Sequence, residues 1–400
     1  MEFGADELLL TAHPPGKRRL LTPGATMDLA EFRGHFPIVS NHVYLNTAAA
    51  GPLADLVLDA AVSAMTEQAA HGSGIFAPYE TALERSRVKV ARLIGSNPDE
   101  IAFVRNTVEA LSIVASGLSW RAGDNVVASA LEFSGNAYPW LNLARHGVSC
   151  RFVPSRNGAV DVDALIQAAD DRTRVITVSL VQFSNGFLVD VEDLGSFCRS
   201  KGIRLMVDGI QGVGVVPLNV KDSAIDFLAC GAHKWLCSPS GVGFLYVCNE
   251  RLPEIALTEI GHRSVVPVPG SFTDYRLTLR PDARRLEAGI TSYANIAGLE
   301  AALDLIDRVG VPRICGHIRG LTARLVERLR ARGCVTRSTQ PPDESAGIVS
   351  FVHPDRQADA VGVRLAAEGI IVSVREGAVR VSAHGFNTPD EIDAMIAALP

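Results

Sequence analysis

Short runs rich in β-branched and aromatic residues alternate with helical patterns through the middle of the chain. "EIAFV" precedes the helical "TVEALSIVASGL", and "NVVASA" precedes "SGNAYPWLNLARHG". "VSCRFVP" leads to "DVDALIQAAD" and "RVITVSLVQF" to "VEDLGSFCRSKG"; the series closes with "IRLMVDG", "DFLAC" and "GVGFLYV". Strand–helix alternation of this kind predicts an α/β fold, a mostly parallel sheet flanked by helices on both faces. Ligands of such folds bind at the carboxyl ends of the strands.

After Val247 the pattern breaks. "PVPGSFTDYRLTLRPDARR" is rich in Pro, Gly and charge and reads as an irregular connection. Beyond it, "SYANIAGLEAALDLIDRVG" and "ICGHIRGLTARLVERLRARG" space apolar residues by three and four, as helices do. "GIVSFV", "GIIVSV" and "AVRVSA" are short strands, and "TPDEIDAMIAAL" is a capped closing helix. The expected organisation is a leader or flexible arm over residues 1–27 and a large domain over 28–280, its N-terminal segment packing on the small domain. A small C-terminal α+β domain follows over 281–400. No repeats or low-complexity tracts interrupt it.

Composition narrows the function classes. Of 400 residues, 47% are apolar and 20% charged, ample for the core of an ordinary enzyme. The net charge of -6 gives no basic footprint for nucleic acid. No apolar stretch is long enough to span a bilayer, and the acidic N-terminus does not read as an export signal. Seven cysteines without a C-x-x-C pair fit free thiols in a reducing cytoplasm better than disulfides or zinc. Five lysines only (Lys17, Lys89, Lys201, Lys221, Lys234) limit the candidates for amine chemistry.

One segment concentrates polar residues among buried runs: "MVDGIQGVGVVPLNVKDSAIDFLACGAHKWLC". Buried charge is costly unless paired or used. A desolvated Lys234 would lose its proton readily, and a neutral amine forms an imine with an aldehyde. Asp208, ending a strand, suits a protonated heteroaromatic nitrogen, the feature that makes such a ring an electron sink. Gln211 lies within reach of the same ring, and His233 adjoins the lysine. Asn106–Thr107 open a helix whose N-terminus suits a phosphate, although an ordinary N-cap would look the same. Phe133, in "LEFSGN", could stack on a flat ring or simply fill core.

"VDGIQ" followed by "GAHKW" and "SPSGVGFLYV" resembles the fold-type-I pyridoxal-phosphate enzymes of the aminotransferase class V family. That group includes cysteine desulfurases, isopenicillin N epimerase-like proteins and C–S lyases. The likeness runs from "YLNTAAAGPL" to "VRVSAHGFNTPDEID". It implies a pyridoxal 5'-phosphate cofactor bound covalently by Lys234, with Asp208 on the pyridine nitrogen. Gln211 and Asn185 would neighbour the phenolic oxygen, and Phe133 would stack on the ring. Thr107, the backbone of Val108, and His233 would face the phosphate, with Ile290 and Thr291 beside them. Arg380 would grip the α-carboxylate of an amino-acid substrate, with Asn185 and Ala49 also contacting it. "RRLEAGITS" matches the segment that crosses the dimer interface in this family, so the resemblance implies a homodimer with composite sites.

Departures are as informative. Phe133 stands where desulfurases carry a histidine, and "GIIVSVREGAVRVSA" lacks their cysteine-bearing loop. Val108, Gly231 and Ile290 replace hydroxyl-bearing residues of the phosphate cup. The missing cysteine loop, together with the lack of an obvious second arginine for a dicarboxylate, favours a β-eliminating C–S lyase acting on a modified amino acid or cysteine conjugate. Aminotransferase, epimerase and decarboxylase chemistry remain alternatives, as does a catalytically silent binding subunit.

Overall fold

The computed structural model describes residues 26–338 and 346–400. Residues 1–25, most of the expected leader, lie outside this range. Met27 is already part of the core, 2% exposed, with its amide donating to the Arg308 carbonyl at 3.1 Å.

Strand β1 is Val43–Tyr44; β2 (Ile101–Val104), β3 (Asn125–Ser129), β4 (Ser149–Val153) and β5 (Thr173–Ser179) follow. Next come β6 (Arg204–Asp208), β7 (Phe227–Gly231) and β8 (Gly243–Val247). Strands β2 to β8 form one seven-stranded sheet ordered β2-β8-β7-β6-β5-β3-β4. All pairings from β4 to β7 are parallel, and β8 alone runs against its neighbours. The reason is local: β7 and β8 are joined by a helix-free connection, too direct for a parallel crossover. That connection carries Lys234.

Period-two alternation assigns each strand's side chains to opposite faces. Leu205 and Val207 of β6 enter the core that also holds Leu165 and Leu194, whereas Met206 packs with Leu111, Val114 and Trp140. β7 and β8 divide likewise, Leu228 and Phe244 on the first face, Phe227 and Leu245 on the second. Helix Thr107–Gly117 covers the second face. On the first, Tyr293–Val309 packs against Asp55–His71 and Phe76–Ile94. One expected helix is different: "SGNAYPWLNLARHG" forms a short α-turn, Tyr138–Leu141, between two 3-10 turns. Pro139 removes an amide donor there.

A second, four-stranded antiparallel sheet is built from β9 (Val335–Thr336), β10 (Ile348–Val352), β12 (Ser373–Arg375) and β13 (Ala378–Ser382). Helices Val311–Ala331 and Pro389–Ala397 bury Leu325, Leu329, Ile392 and Met395 against Val349 and Val381. The last helix starts with a capping box, Thr388 with Glu391. β1 pairs in parallel with β11 (Ile370–Ile371), which threads residues 43–48 past this sheet and into the site. The Ala48 amide donates to Ser382 Oγ at 2.9 Å.

Candidate active site

Four chain segments converge at the carboxyl ends of β3, β5, β6 and β7. Asp208 is the last residue of β6, in register with Ser179 of β5 and Ala229 of β7. Its carboxylate is 3% exposed and accepts the Ile210 amide at 3.0 Å. Burial pushes this acid up to about 7, with nearby Glu132 adding to the rise and Lys234 opposing it. Lys234 moves the other way, down to about 8, because burial disfavours its charge more than Asp208 restores it. Its Nζ lies 5.9 Å from the Phe133 ring centroid. Phe133 itself is half exposed and held edge-on by Phe183 at 5.2 Å.

The lysine's backbone is fixed from two sides. Gly51 donates its amide to the His233 carbonyl at 2.8 Å. A Cβ on Gly51 would lie 2.0 Å from the Lys234 carbonyl oxygen, so this contact requires the glycine of "AAAGPL". On the other side His384 bonds the Trp235 carbonyl at 2.9 Å, and its ring stacks near Trp235 and Phe386. Gln211 binds the protein at both ends, accepting from Trp235 Nε1 at 2.7 Å and donating to the Ala48 carbonyl at 3.1 Å. Asn185 is likewise engaged, with Gly158 O at 2.6 Å and the Phe187 amide at 3.1 Å. These two amides brace loops around the site. Ala49 follows in the turn after β1, its amide donating to the Asn46 carbonyl at 3.0 Å.

At the start of helix Thr107–Gly117, the Asn106 side chain caps the Glu109 amide at 2.9 Å, leaving the amides of Thr107 and Val108 outside that bond. Thr107 Oγ1 accepts the Gly231 amide at 2.9 Å. As acceptor in that bond the hydroxyl still has its own proton to donate. A Cβ on Gly231 would meet Thr107 Oγ1 at 3.0 Å and His233 Nδ1 at 3.3 Å, which explains glycine at the end of β7. Burial and Lys234 both lower the proton affinity of His233.

Arg380 of β13 is 2% exposed. Its Nη1 donates to the Phe183 carbonyl at 2.8 Å, Nη2 lies 3.5 Å from Ser373 Oγ, and Nε has no partner. Among the described residues no carboxylate pairs with it. Burial, then the charge of Arg375, brings it down to about 10. Arg375 was not singled out in the sequence. β12 and β13 are joined by a two-residue turn, Glu376–Gly377, both with positive φ, and Arg375 faces Ala378 while Ser373 faces Arg380. A hairpin with these pairs puts Arg375 and Arg380 on the same face. The number of residues between them hides this in the linear sequence.

Ile290 and Thr291 stand apart. They line a groove of about 430 Å³ with Phe103, Arg105 and Gly241. The base of that segment is anchored by a buried ion pair, Arg87 Nη1 to Glu287 Oε1 at 2.7 Å.

This donor set fits pyridoxal phosphate. A buried carboxylate with no cationic hydrogen-bond partner suits a protonated ring nitrogen, and a desolvated lysine suits its aldehyde. An aromatic face stands over the lysine, and a helix N-terminus with a hydroxyl suits the phosphate.

The family model for aminotransferase class-V matches residues 43–395. The chain therefore belongs to the aminotransferase class-V family, and it is a pyridoxal-phosphate-dependent enzyme. A probable cysteine desulfurase of Methanothermobacter thermautotrophicus is 32% identical over 394 residues, covering 92% of this chain and 96% of the relative. Among solved structures, the cystine C-S lyase C-DES bound to its product cysteine persulfide superposes with a TM-score of 0.85 at 25% identity, covering 90% and 98% of the two chains. A cysteine desulfurase from Thermococcus onnurineus NA1 gives 0.84 at 27% identity, with 93% and 98% covered. Among the described residues no helix is long and apolar enough to cross a membrane.

Proposed function

We propose that the enzyme is a β-eliminating C–S lyase that acts on cysteine or a cysteine conjugate, working as a homodimer. The observation that carries this reading is the β12–β13 connection. Desulfuration by persulfide transfer needs a thiol that can reach the substrate sulfur, and here Glu376–Gly377 closes the hairpin with no loop to hold one. Six of the seven cysteines are buried, and Cys150, the other, lies on β4 at the sheet edge, four strands from β7. Burial raises each of them above the ordinary thiol value, so none is poised as a thiolate.

Bound pyridoxal phosphate supplies a carbonyl that captures amines and a ring that withdraws electrons from the adjacent carbon. Arg380 has the unpaired donors to clamp the substrate α-carboxylate. Lys234, easily deprotonated at its depressed value, would take the α-proton of the bound substrate. Asp208 would pair with the ring nitrogen and hold a proton there. The β-sulfur departs with the bonding electron pair and Lys234 returns a proton to it. Water then converts the released aminoacrylate to pyruvate and ammonia. Phe133 offers no proton at the position above the lysine, which leaves Lys234 as the acid and the base.

A second reading, desulfuration of cysteine, has the name of the 32%-identical relative in its favour. Product analysis separates them. With cysteine, cystine and S-alkyl cysteines, elimination yields pyruvate equimolar with sulfide, cysteine persulfide and alkyl thiol, respectively. Alanine as the main product, with a persulfide on a protein cysteine, would refute elimination.

A further inference from the structure

Glu132 sits half-buried at the floor of the site, one residue before Phe133, and sequence reasoning passed it over. Its carboxylate accepts four bonds from three residues. Oε1 takes the Ser179 amide and Gln182 Nε2, both at 2.8 Å. Oε2 takes Ser179 Oγ at 2.5 Å and Asn136 Nδ2 at 2.8 Å. All four donors are neutral, and among the described residues no cation pairs with it. Asn136 is locked in turn by Trp140 Nε1 at 3.1 Å and Thr177 Oγ1 at 2.8 Å, both onto Oδ1. The turn carrying Phe133 is thus tied to the end of β5.

Ser179 is also the register partner of Asp208. Glu132 is thus hydrogen-bonded to the residue beside Asp208 in the sheet, and its charge raises the cost of ionising Asp208. Such a pair is unfavourable by itself and becomes favourable beside a cation.

We propose that Glu132 is a positioning residue: it pins the turn that presents Phe133, and its charge is a second anion, beside Asp208, for the cationic groups of the bound cofactor. The other charged and titratable groups facing this region are Asp208 from β6, Cys230 from β7, His233 and Lys234 from the β7–β8 connection, and Arg375 and Arg380 from the hairpin. The arginines oppose protonation of the lysine-linked nitrogen, and the two carboxylates favour it. The inference rests on the cofactor site and on no choice of substrate.

The test uses the holoenzyme without substrate. The pH midpoint of the lysine-linked chromophore and the cofactor dissociation constant are measured for wild type, Glu132→Gln and Glu132→Asp. In Glu132→Gln the midpoint is expected to fall by about half to one pH unit, with cofactor affinity about tenfold weaker. Glu132→Asp, which keeps the charge, should restore the midpoint while affinity stays reduced. Gln182→Leu, which removes one donor and makes Glu132 easier to protonate, should lower the midpoint by a smaller amount and serves if Glu132→Gln does not fold. A wild-type midpoint in Glu132→Gln, or in Gln182→Leu where that variant stands in, overturns the proposal whatever the affinity. A wild type that forms no lysine-linked chromophore with pyridoxal phosphate would instead refute the cofactor site itself.

Discussion

Replacing Arg380 by methionine should separate what this residue does for the substrate from what it does for the fold. Burial brings its guanidinium from the ordinary arginine value to about 10; at about 1.4 kcal/mol per pH unit, carrying the charge costs the substrate-free protein roughly 3 kcal/mol. Against this, Arg380→Met forfeits the bond to the Phe183 carbonyl, and an orphaned buried acceptor costs about 1–3 kcal/mol. The two contributions nearly cancel, and methionine fills the space with flexible apolar volume. Thermal stability of the holoenzyme, compared at one scan rate, is therefore expected to stay within a few degrees of wild type or to rise. Substrate binding should suffer heavily. Charge-assisted bonds to a carboxylate contribute about 1.5–3 kcal/mol each, so losing the clamp predicts a fall in kcat/KM for cysteine of about a hundredfold or more. Arg380→Lys keeps the charge without the fork and should fall between the two. A methionine variant that unfolds early yet keeps a wild-type kcat/KM would show that Arg380 is structural and that the carboxylate binds elsewhere.

Lys234→Ala is expected to abolish the covalent chromophore while leaving the far-UV spectrum unchanged; borohydride reduction of wild type should label the Lys234 peptide, and a label on Lys89, Lys201 or Lys221 would refute the assignment. Asp208 predicts a pH effect: its folded-state value, raised to about 7, destabilises the apoprotein increasingly as pH climbs from the unfolded carboxylate range to about 7, and the loss is complete above that. A cationic cofactor relieves the penalty, so the Tm gain on adding pyridoxal phosphate should be larger at pH 8 than at pH 5, and Asp208→Asn should erase the difference. Gly289 has nothing within 4 Å of an added Cβ in the single subunit, so Gly289→Trp should fold normally but weaken the dimer and cofactor retention together. Light scattering and absorbance check both, and an unchanged dimer with full occupancy would show that residues 288–292 do not cross an interface.

Local pattern carried much of this protein. β6, β7 and β8 were legible because a strand buried on both faces is apolar along its length, and burial periodicity is a property of consecutive residues. Asp208 and Lys234 stood out because a charge amid such runs needs a reason. Helix starts at Thr107 and Pro389 followed from their caps, which are also local. What the tertiary structure decided was pairing. The sheet order β6-β5-β3 brings Glu132, Ser179 and Asp208 side by side from positions 76 residues apart at the extremes (208 − 132), and no short-range pattern records which strand lies next to which. Gln211 and Asn185 were readable as polar residues near the site, but their amides are consumed by Trp235, Ala48, Gly158 and Phe187, partners that only the fold supplies. Arg375 became part of the site when a two-residue turn set β12 against β13. Sequence fixes which groups cannot remain in water-poor surroundings unpaired, because that cost belongs to each side chain; the choice of partner belongs to the whole chain, because hydrogen bonds and charges act across a few ångströms of space.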